Sequence, residues 1–284
     1  MEFRSTWKVS VLFAAVLGVV PLAASASSLD EIKSRGVVTI GFGNEAPFSF
    51  TDGNELKGQE IAINRAIFAA LGVNEIKGVQ VDFGQLIPGL NAKRYDLVGA
   101  GMFINPDRCK QAAFSLPAYT VGTAFIVPKG NPKSINTFDD IKDKGLKLAM
   151  YAGSAETYYA RVLGIPDSQI VNISSQRDGM AAVTAGRADA FTTNAIGLRW
   201  YMKQSPDERV EMTDEFAPVI DGVEQRGYGA TTFRKEDKEL LEAFNTELAR
   251  LRDSGELLEL IEPYGFAAVN IPSADVSVEK LCGQ

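Results

Sequence analysis

The order strand–helix–strand–helix–strand occurs twice along this chain, and that repetition restricts the fold more than any single motif. Val37–Phe42 reads as a buried strand, 58–71 as a helix with Ile61, Ala62, Ile67, Phe68 and Leu71 on its apolar side, and 79–83 as a second strand. A short helix over 86–92 and a strand over 95–100 complete the first unit. The order restarts with a strand at 146–150, a helix at 155–163, a short strand at 171–173, a helix at 177–185 and a strand at 188–191. Alternation of this kind builds a parallel sheet with helices on its faces. Two units in tandem predict a two-lobed α/β molecule, each lobe a mostly parallel sheet flanked by helices. Strands predicted at 123–127 and 229–233 flank the second unit and read as two hinge crossings. A helical region over 235–260 returns to the first lobe. The expected partition is 27–126 with 229–284 as lobe 1, and 127–228 as lobe 2.

Composition narrows the chemistry. The 284 residues include no histidine, which removes histidine acid–base catalysis, histidine-dependent triads and nearly all zinc enzymes. Two cysteines are too few for a structural zinc site, so neither a metal nor a cofactor is expected. The net charge of −7, with no basic run, argues against a nucleic-acid partner.

The first residues read as an address. Arg4 and Lys8 precede an apolar run from Val9 to Val20, and Ala24-Ser25-Ala26 is a small-residue cleavage site. The run is shorter than the ~20 residues a membrane span needs. A signal peptide over 1–26 and export are expected, and an exported protein can carry disulfides. An even cysteine count favours one Cys109–Cys282 bridge, with two separate buried thiols as the alternative.

In open α/β sheets ligands bind beyond the carboxyl ends of the strands. The segments predicted there carry Glu45 and Phe48, then Phe83, then Gly101, Phe103 and Arg108, then Ser154 and Thr157, then Asn194. Arg108 has the forked donor set that suits a carboxylate. Ser154 opens a helix, whose first N–H groups receive anions. Plainer roles exist for each: core packing for Phe48 and Phe83, a surface loop for Glu45, an Asp107 partner for Arg108, an N-cap for Ser154. Their common placement at strand ends favours a binding site.

Several stretches together resemble the polar amino acid-binding (type II) family of periplasmic solute-binding proteins of ABC importers. They are 28–41, Ala46-Pro47-Phe48-Ser49-Phe50, Leu86-Ile87-Pro88-Gly89-Leu90 with Tyr95-Asp96-Leu97, the Arg108 segment, Gly153-Ser154, Gly186-Arg187-Ala188-Asp189-Ala190, and 228–235. The resemblance implies two lobes that close on a small solute, a monomer, and delivery to permease and ATPase subunits. It implies binding rather than catalysis. Amino acid-binding members usually hold the ligand's ammonium with Ser or Thr at the place of Phe103 and Asp at the place of Asn194. Both polar partners are replaced here, whereas the Arg108 carboxylate clamp is kept. The ligand implied is a zwitterion whose positive charge is delocalised or alkylated. An aromatic cage of Phe48, Phe83 and Phe103 would receive that charge.

This combination is similar to the ectoine/hydroxyectoine-binding members of the family. By that likeness, Arg108 with Ser154 or Thr157 holds the carboxylate, and Glu45 bonds a ring nitrogen. Phe83 stands where Tyr is frequent. Amino acid or betaine binding is the nearest alternative. A cyclohexadienyl dehydratase-like enzyme and a sensory domain are more distant ones.

Overall fold

In the computed structural model, which describes residues 1, 2 and 28–283, two sheets form the two predicted α/β units. The leader expected over 1–26 and its cleavage site lie outside the described residues, apart from the first two. Among the described residues no helix is long and apolar enough to cross a membrane. None of their His, Cys, Asp and Glu side chains form a group of three or more that could hold a metal ion.

The first sheet runs in the order Glu75–Gln80, Val37–Phe42, Leu97–Phe103, Gly227–Phe233, Ala113–Phe114. Val37–Phe42 pairs in parallel with both neighbours, as a βαβαβ unit requires. Gly227–Phe233 enters antiparallel from far along the chain and also pairs with Tyr119–Val121. The second sheet runs Ile170–Ile173, Leu148–Tyr151, Ala190–Asn194, Thr123–Pro128, Val210–Met212. Its first three strands are parallel and the last two antiparallel to their neighbours.

The chain leaves the first sheet at Val121 and enters the second at Thr123. Thr123–Pro128 therefore lies wholly in the second sheet, and Gly227–Phe233 wholly in the first. The passages between sheets fall just ahead of the two strands read as crossings. Gly122 sits in the first passage, and its N–H donates to Glu215 Oε1 at 2.7 Å. Glu215 belongs to the returning passage and also accepts from Arg199 and Arg226, at 3.1 and 3.2 Å. One carboxylate thus ties the two passages together. These three donors, outweighing its partial burial, hold its pKa below the ordinary range.

The region expected as one helix over 235–260 is Lys238–Ser254 followed by Glu256–Ile261. Gly255 separates them in the left-handed region at φ 87°, a usual helix-ending conformation for glycine. Leu240, Phe244, Leu248 and Leu251 form its buried stripe. Phe244 meets Phe233 of the first sheet and Phe68 of the helix Gln59–Ala70, at 5.2 and 6.2 Å between centroids. Each such buried side chain contributes roughly 1.5–3 kcal/mol, so this helix is fastened to the first lobe.

Three strands are displaced at both ends by two residues or more from the sequence reading. The strand expected at 79–83 is Glu75–Gln80, an edge strand with no fully buried residue, which gives it no apolar alternation. Val79, Val81 and Phe83 alternate for another reason: they pack against the Leu86, Ile87 and Tyr95 cluster. The strand expected at 95–100 is Leu97–Phe103, so Gly101 and Phe103 are strand residues rather than loop residues. The strand expected at 188–191 is Ala190–Asn194. Its buried Thr192 is satisfied by donating to the Ala124 carbonyl at 2.9 Å, which lets a polar residue sit inside a sheet.

Candidate ligand-binding site

The carboxyl ends of both sheets face one cleft that opens to solvent; about 370 Å³ is free of atoms when that open part is counted. Glu45, Phe48, Phe83, Gly101, Phe103 and Arg108 line it from the first lobe, and Ser154 and Asn194 from the second. Thr157 is the exception among the sequence-derived candidates. Its Oγ1 donates to the Tyr151 carbonyl at 2.7 Å and it does not line the cavity, because the first helical turn spends its hydroxyl on its own strand.

Arg108 rides on the turn Pro106–Cys109, which Asn105 caps by accepting from the Arg108 N–H at 2.9 Å. The guanidinium is buried. Nη1 donates to the Phe103 carbonyl at 2.6 Å and Nη2 to the Gly153 carbonyl at 2.7 Å. Burial pulls its pKa down to about 10. The Phe83 ring lies 5.5 Å from the guanidinium carbon, so this ring stacks on the clamp as well as lining the cavity.

The Arg108 turn is fixed from outside too. Cys109 is joined to Cys282 by a disulfide, with Cα atoms 5.7 Å apart, the usual separation for such a bridge.

The aromatic wall has a centre that sequence reasoning missed. Tyr119 stands between Phe48 at 5.5 Å, Phe103 at 6.1 Å and Phe266 at 5.0 Å, and its hydroxyl donates to the Gly101 carbonyl at 2.7 Å. It lies on a three-residue strand, too short to leave a periodic signal. Gly101 has φ +60°, and a Cβ there would stand 2.7 Å from the Tyr119 hydroxyl, so glycine is required at this point of the wall. Tyr151, Ala100, Ala155, Thr193 and Glu156 also line the cavity without having been singled out. An acid in a first helical turn, as Glu156 is, ordinarily complements the helix dipole, so its type alone gave no separate signal.

Ser154 and Asn194 both serve as N-caps, accepting from Thr157 N–H at 3.2 Å and Gly197 N–H at 2.8 Å. The capping role and the cavity lining coexist in both residues.

The acids are the unsatisfied part. Oε1 of Glu45 and Oε1 of Glu156 are buried without a hydrogen-bond partner. Burial, reinforced by the Glu156 charge, pushes Glu45 up to about 8. Burial also raises Glu156, against the pull of its own N–H, of Ser154 and of Arg108. A buried polar group without a partner is costly and rare. Chemically the cavity offers a guanidinium for an anion, aromatic faces for a cation or apolar ring, and carboxylate oxygens for N–H donors.

The lobes meet around this cavity. The Arg108–Gly153 bond crosses between them, Asp107 pairs with Arg161, and Gln176 Nε2 donates to the Ala46 carbonyl at 3.4 Å.

Comparison with known proteins agrees with this architecture. The family described as bacterial extracellular solute-binding proteins, family 3, matches residues 38–267. A probable amino-acid ABC transporter periplasmic-binding protein, y4tE, of Sinorhizobium fredii is 38% identical over 264 residues, 91% of this chain and 87% of the relative. Among solved structures, EhuB in complex with hydroxyectoine is similar with a TM-score of 0.82 at 31% identity, covering 90% of this chain and 99% of that one. The ancestral amino acid-binding protein AncCDT-1, a precursor of cyclohexadienyl dehydratase, is similar with a TM-score of 0.73 at 30% identity, covering 84% and 99%. With a match over most of its length, the chain belongs to family 3 of the bacterial extracellular solute-binding proteins.

Proposed function

We propose that this protein is the periplasmic solute-binding component of an ABC importer and that its ligand is a small zwitterion of the ectoine/hydroxyectoine type. The observation that carries the reading is the content of the cavity: one buried guanidinium, carboxylate oxygens without partners, and an aromatic wall. A ligand with a carboxylate and a delocalised cation complements all three. Arg108 and Ser154 take the carboxylate, Phe48, Phe103 and Tyr119 surround the ring, and Glu45 accepts from a ring N–H. The likeness to EhuB, solved with hydroxyectoine, supports this choice. Three aromatic faces at roughly 1 kcal/mol each and charge-assisted bonds at roughly 1.5–3 kcal/mol bring micromolar affinity, about −8 kcal/mol, within reach.

Residues 28–121 with 227–283 act as one lobe and 123–212 as the other, hinged at Gly122 and the returning passage. Both lobes contact the ligand, so the ligand favours the closed state. The closed monomer delivers it to permease and ATPase subunits, after export directed by residues 1–26. The role is capture, not conversion. The phenylalanines supply neither the acid nor the base that a reaction would need; Glu45 and Glu156 are the carboxyl groups lining the cavity, and the binding-protein description of the Sinorhizobium fredii relative favours capture.

A second reading, an amino acid ligand, is favoured by the description of the Sinorhizobium fredii relative. Glu45 and Glu156 would then hold the ammonium that Phe103 and Asn194 do not. Titration calorimetry on ligand-stripped mature protein separates the two, with ectoine, hydroxyectoine, glycine betaine, proline betaine, arginine and glutamine as probes. Micromolar ectoine binding that is lost in Phe103→Thr supports the first reading. Binding of an amino acid with no response to ectoine replaces it with the second.

A further inference from the structure

We propose that Glu156 of the second lobe and Glu45 of the first form a carboxylate pair that clasps an N–H-bearing delocalised cation, an amidinium or a guanidinium, between the lobes, and that their repulsion opposes closure of the empty cleft. The inference rests on the reading of this cavity as the ligand site, and it names the feature that selects among ligands there.

Glu156 lies in the first turn of the helix Ala155–Val162 and is 3% exposed, and it lines the same cavity as Glu45. Each presents a buried Oε1 without a partner. Both carboxyl groups line one cavity, the Glu156 charge acts on Glu45, and burial favours the neutral form of both. Around Glu156 stand its own helix N-terminus with Ser154, Tyr159 on the same helix, Arg108 and Tyr119 from the first lobe, and Tyr151 of the adjoining strand. Gln176 faces Glu45. Among the described residues, Arg108 is the one cationic side chain lining the cavity, set against two carboxylates.

Two acceptor oxygens from opposite lobes, both without donors, match a planar cation that carries N–H groups on two nitrogens. A quaternary ammonium satisfies the aromatic wall but has no N–H to give them. The geometry therefore discriminates between two kinds of cation that an aromatic cage alone accepts alike. Because one acceptor comes from each lobe, a bridging donor completes its bonds only when the lobes meet. Ionisation of both acids in the empty cleft places like charges face to face and works against that approach.

The test uses Glu156→Gln in the mature full-length protein, with Glu156→Asp as the charge-retaining control and thermal denaturation to verify folding. Calorimetry with ectoine and arginine as N–H-bearing probes, and glycine betaine as the alkylated one, reads selectivity. The expected result is at least a tenfold loss of affinity for whichever N–H-bearing probe the wild type binds, partial rescue by Asp, and less than a twofold change for glycine betaine. Unchanged affinity for the N–H-bearing probe, in a protein whose binding still depends on Arg108, overturns the clasp and leaves the ligand site standing. Small-angle scattering on the ligand-free proteins at pH 9 reads the second half without any ligand. Glu156→Gln is expected to be more compact than wild type. Equal radii of gyration overturn the repulsion. If no probe binds wild type, the functional reading fails, and the scattering comparison still decides whether the pair opposes closure.

Discussion

Arg108 Nη2 donates to the Gly153 carbonyl at 2.7 Å, and this bond joins the first lobe to the second at the mouth of the cavity. The same guanidinium reaches the Phe103 carbonyl, so it is oriented by its own strand before any ligand arrives. Replacement by alanine removes a charge-assisted donor set worth roughly 1.5–3 kcal/mol per bond and leaves two carbonyls unpaired. Affinity for a carboxylate ligand is expected to fall about 100-fold or more. Arg108→Lys keeps the charge but not the fork, and should recover only part of that loss. Calorimetry on the three proteins checks this, and equal affinities would remove Arg108 from the site.

The backbones of the lobes approach closely at Gly84 and Gly153. A Cβ built on Gly153 would stand 3.2 Å from Gly84 Cα, and one on Gly84 would stand 3.1 Å from the Ala152 carbonyl oxygen. Gly84 is exposed and lies in the turn Phe83–Gln85, so a larger side chain there costs the first lobe little. Gly84→Val is expected to wedge the cleft, lowering ligand affinity at least tenfold while the melting temperature of the ligand-free protein changes by less than about 2 °C, since surface substitutions are usually within ±0.5 kcal/mol. A variant that binds as tightly as wild type would show that the lobes do not need this approach.

Most of the fold was legible in the sequence because the central strands and the longer helices carry strong apolar patterns. Val37–Phe42 and the helices beginning at Gln59, Ala155 and Gln176 fall within a residue or so of their expected limits. What was not legible lacks a pattern of its own. Glu75–Gln80 is a half-exposed edge, Tyr119–Val121 is three residues long, and Ala190–Asn194 ends in buried polar residues. The cavity lining followed from strand-end placement for Glu45, Phe48, Phe83, Phe103, Arg108 and Ser154. Tyr119 reaches it through contacts between segments far apart in the chain, which no local spacing encodes, whereas Glu156 stands in a strand-end segment like the others and was passed over because an acid in a first helical turn is ordinary.

Behind the cavity Glu60 is fully buried, accepting from Gln59 Nε2 and Thr231 Oγ1, both at 3.1 Å. Burial outweighs these donors and raises its pKa from 4.5 to about 7. An acid raised on folding keeps a proton that the unfolded chain has released. Its contribution is therefore full below pH 4.5 and is lost as pH rises to 7, a difference of about 3 kcal/mol. Glu45, raised to about 8, acts with the same sign. Asp140 and Asp207, each lowered to about 2, act with the opposite sign and lose their contribution only below pH 4. The ligand-free protein should be most stable near pH 5 and melt several degrees lower at pH 8.5. Glu60→Gln, which mimics the neutral acid, should narrow that gap. Melting curves across this range check it, and a wild-type temperature that rises from pH 5 to 8.5 would contradict the assignment.

Cys109 is the residue after Arg108, and its disulfide partner Cys282 ends the short helix Val278–Leu281. The bridge therefore pins the C-terminus against the turn that carries the carboxylate clamp. Closing a loop with a sequence separation of 173 residues removes unfolded-chain entropy worth at most about 5 kcal/mol. Reduction, or the double replacement Cys109→Ser with Cys282→Ser, is expected to lower the melting temperature by about 5–15 °C. It should also free the last helix to proteolysis. Arg108 retains its Asn105 cap and both carbonyl partners without the bridge. Ligand affinity should accordingly weaken only a few-fold, far less than in Arg108→Ala. Parallel melting and calorimetry with and without reductant measure both effects. An affinity loss as large as that of Arg108→Ala would mean that the bridge, rather than the strand end and the Asn105 cap, sets the position of the clamp.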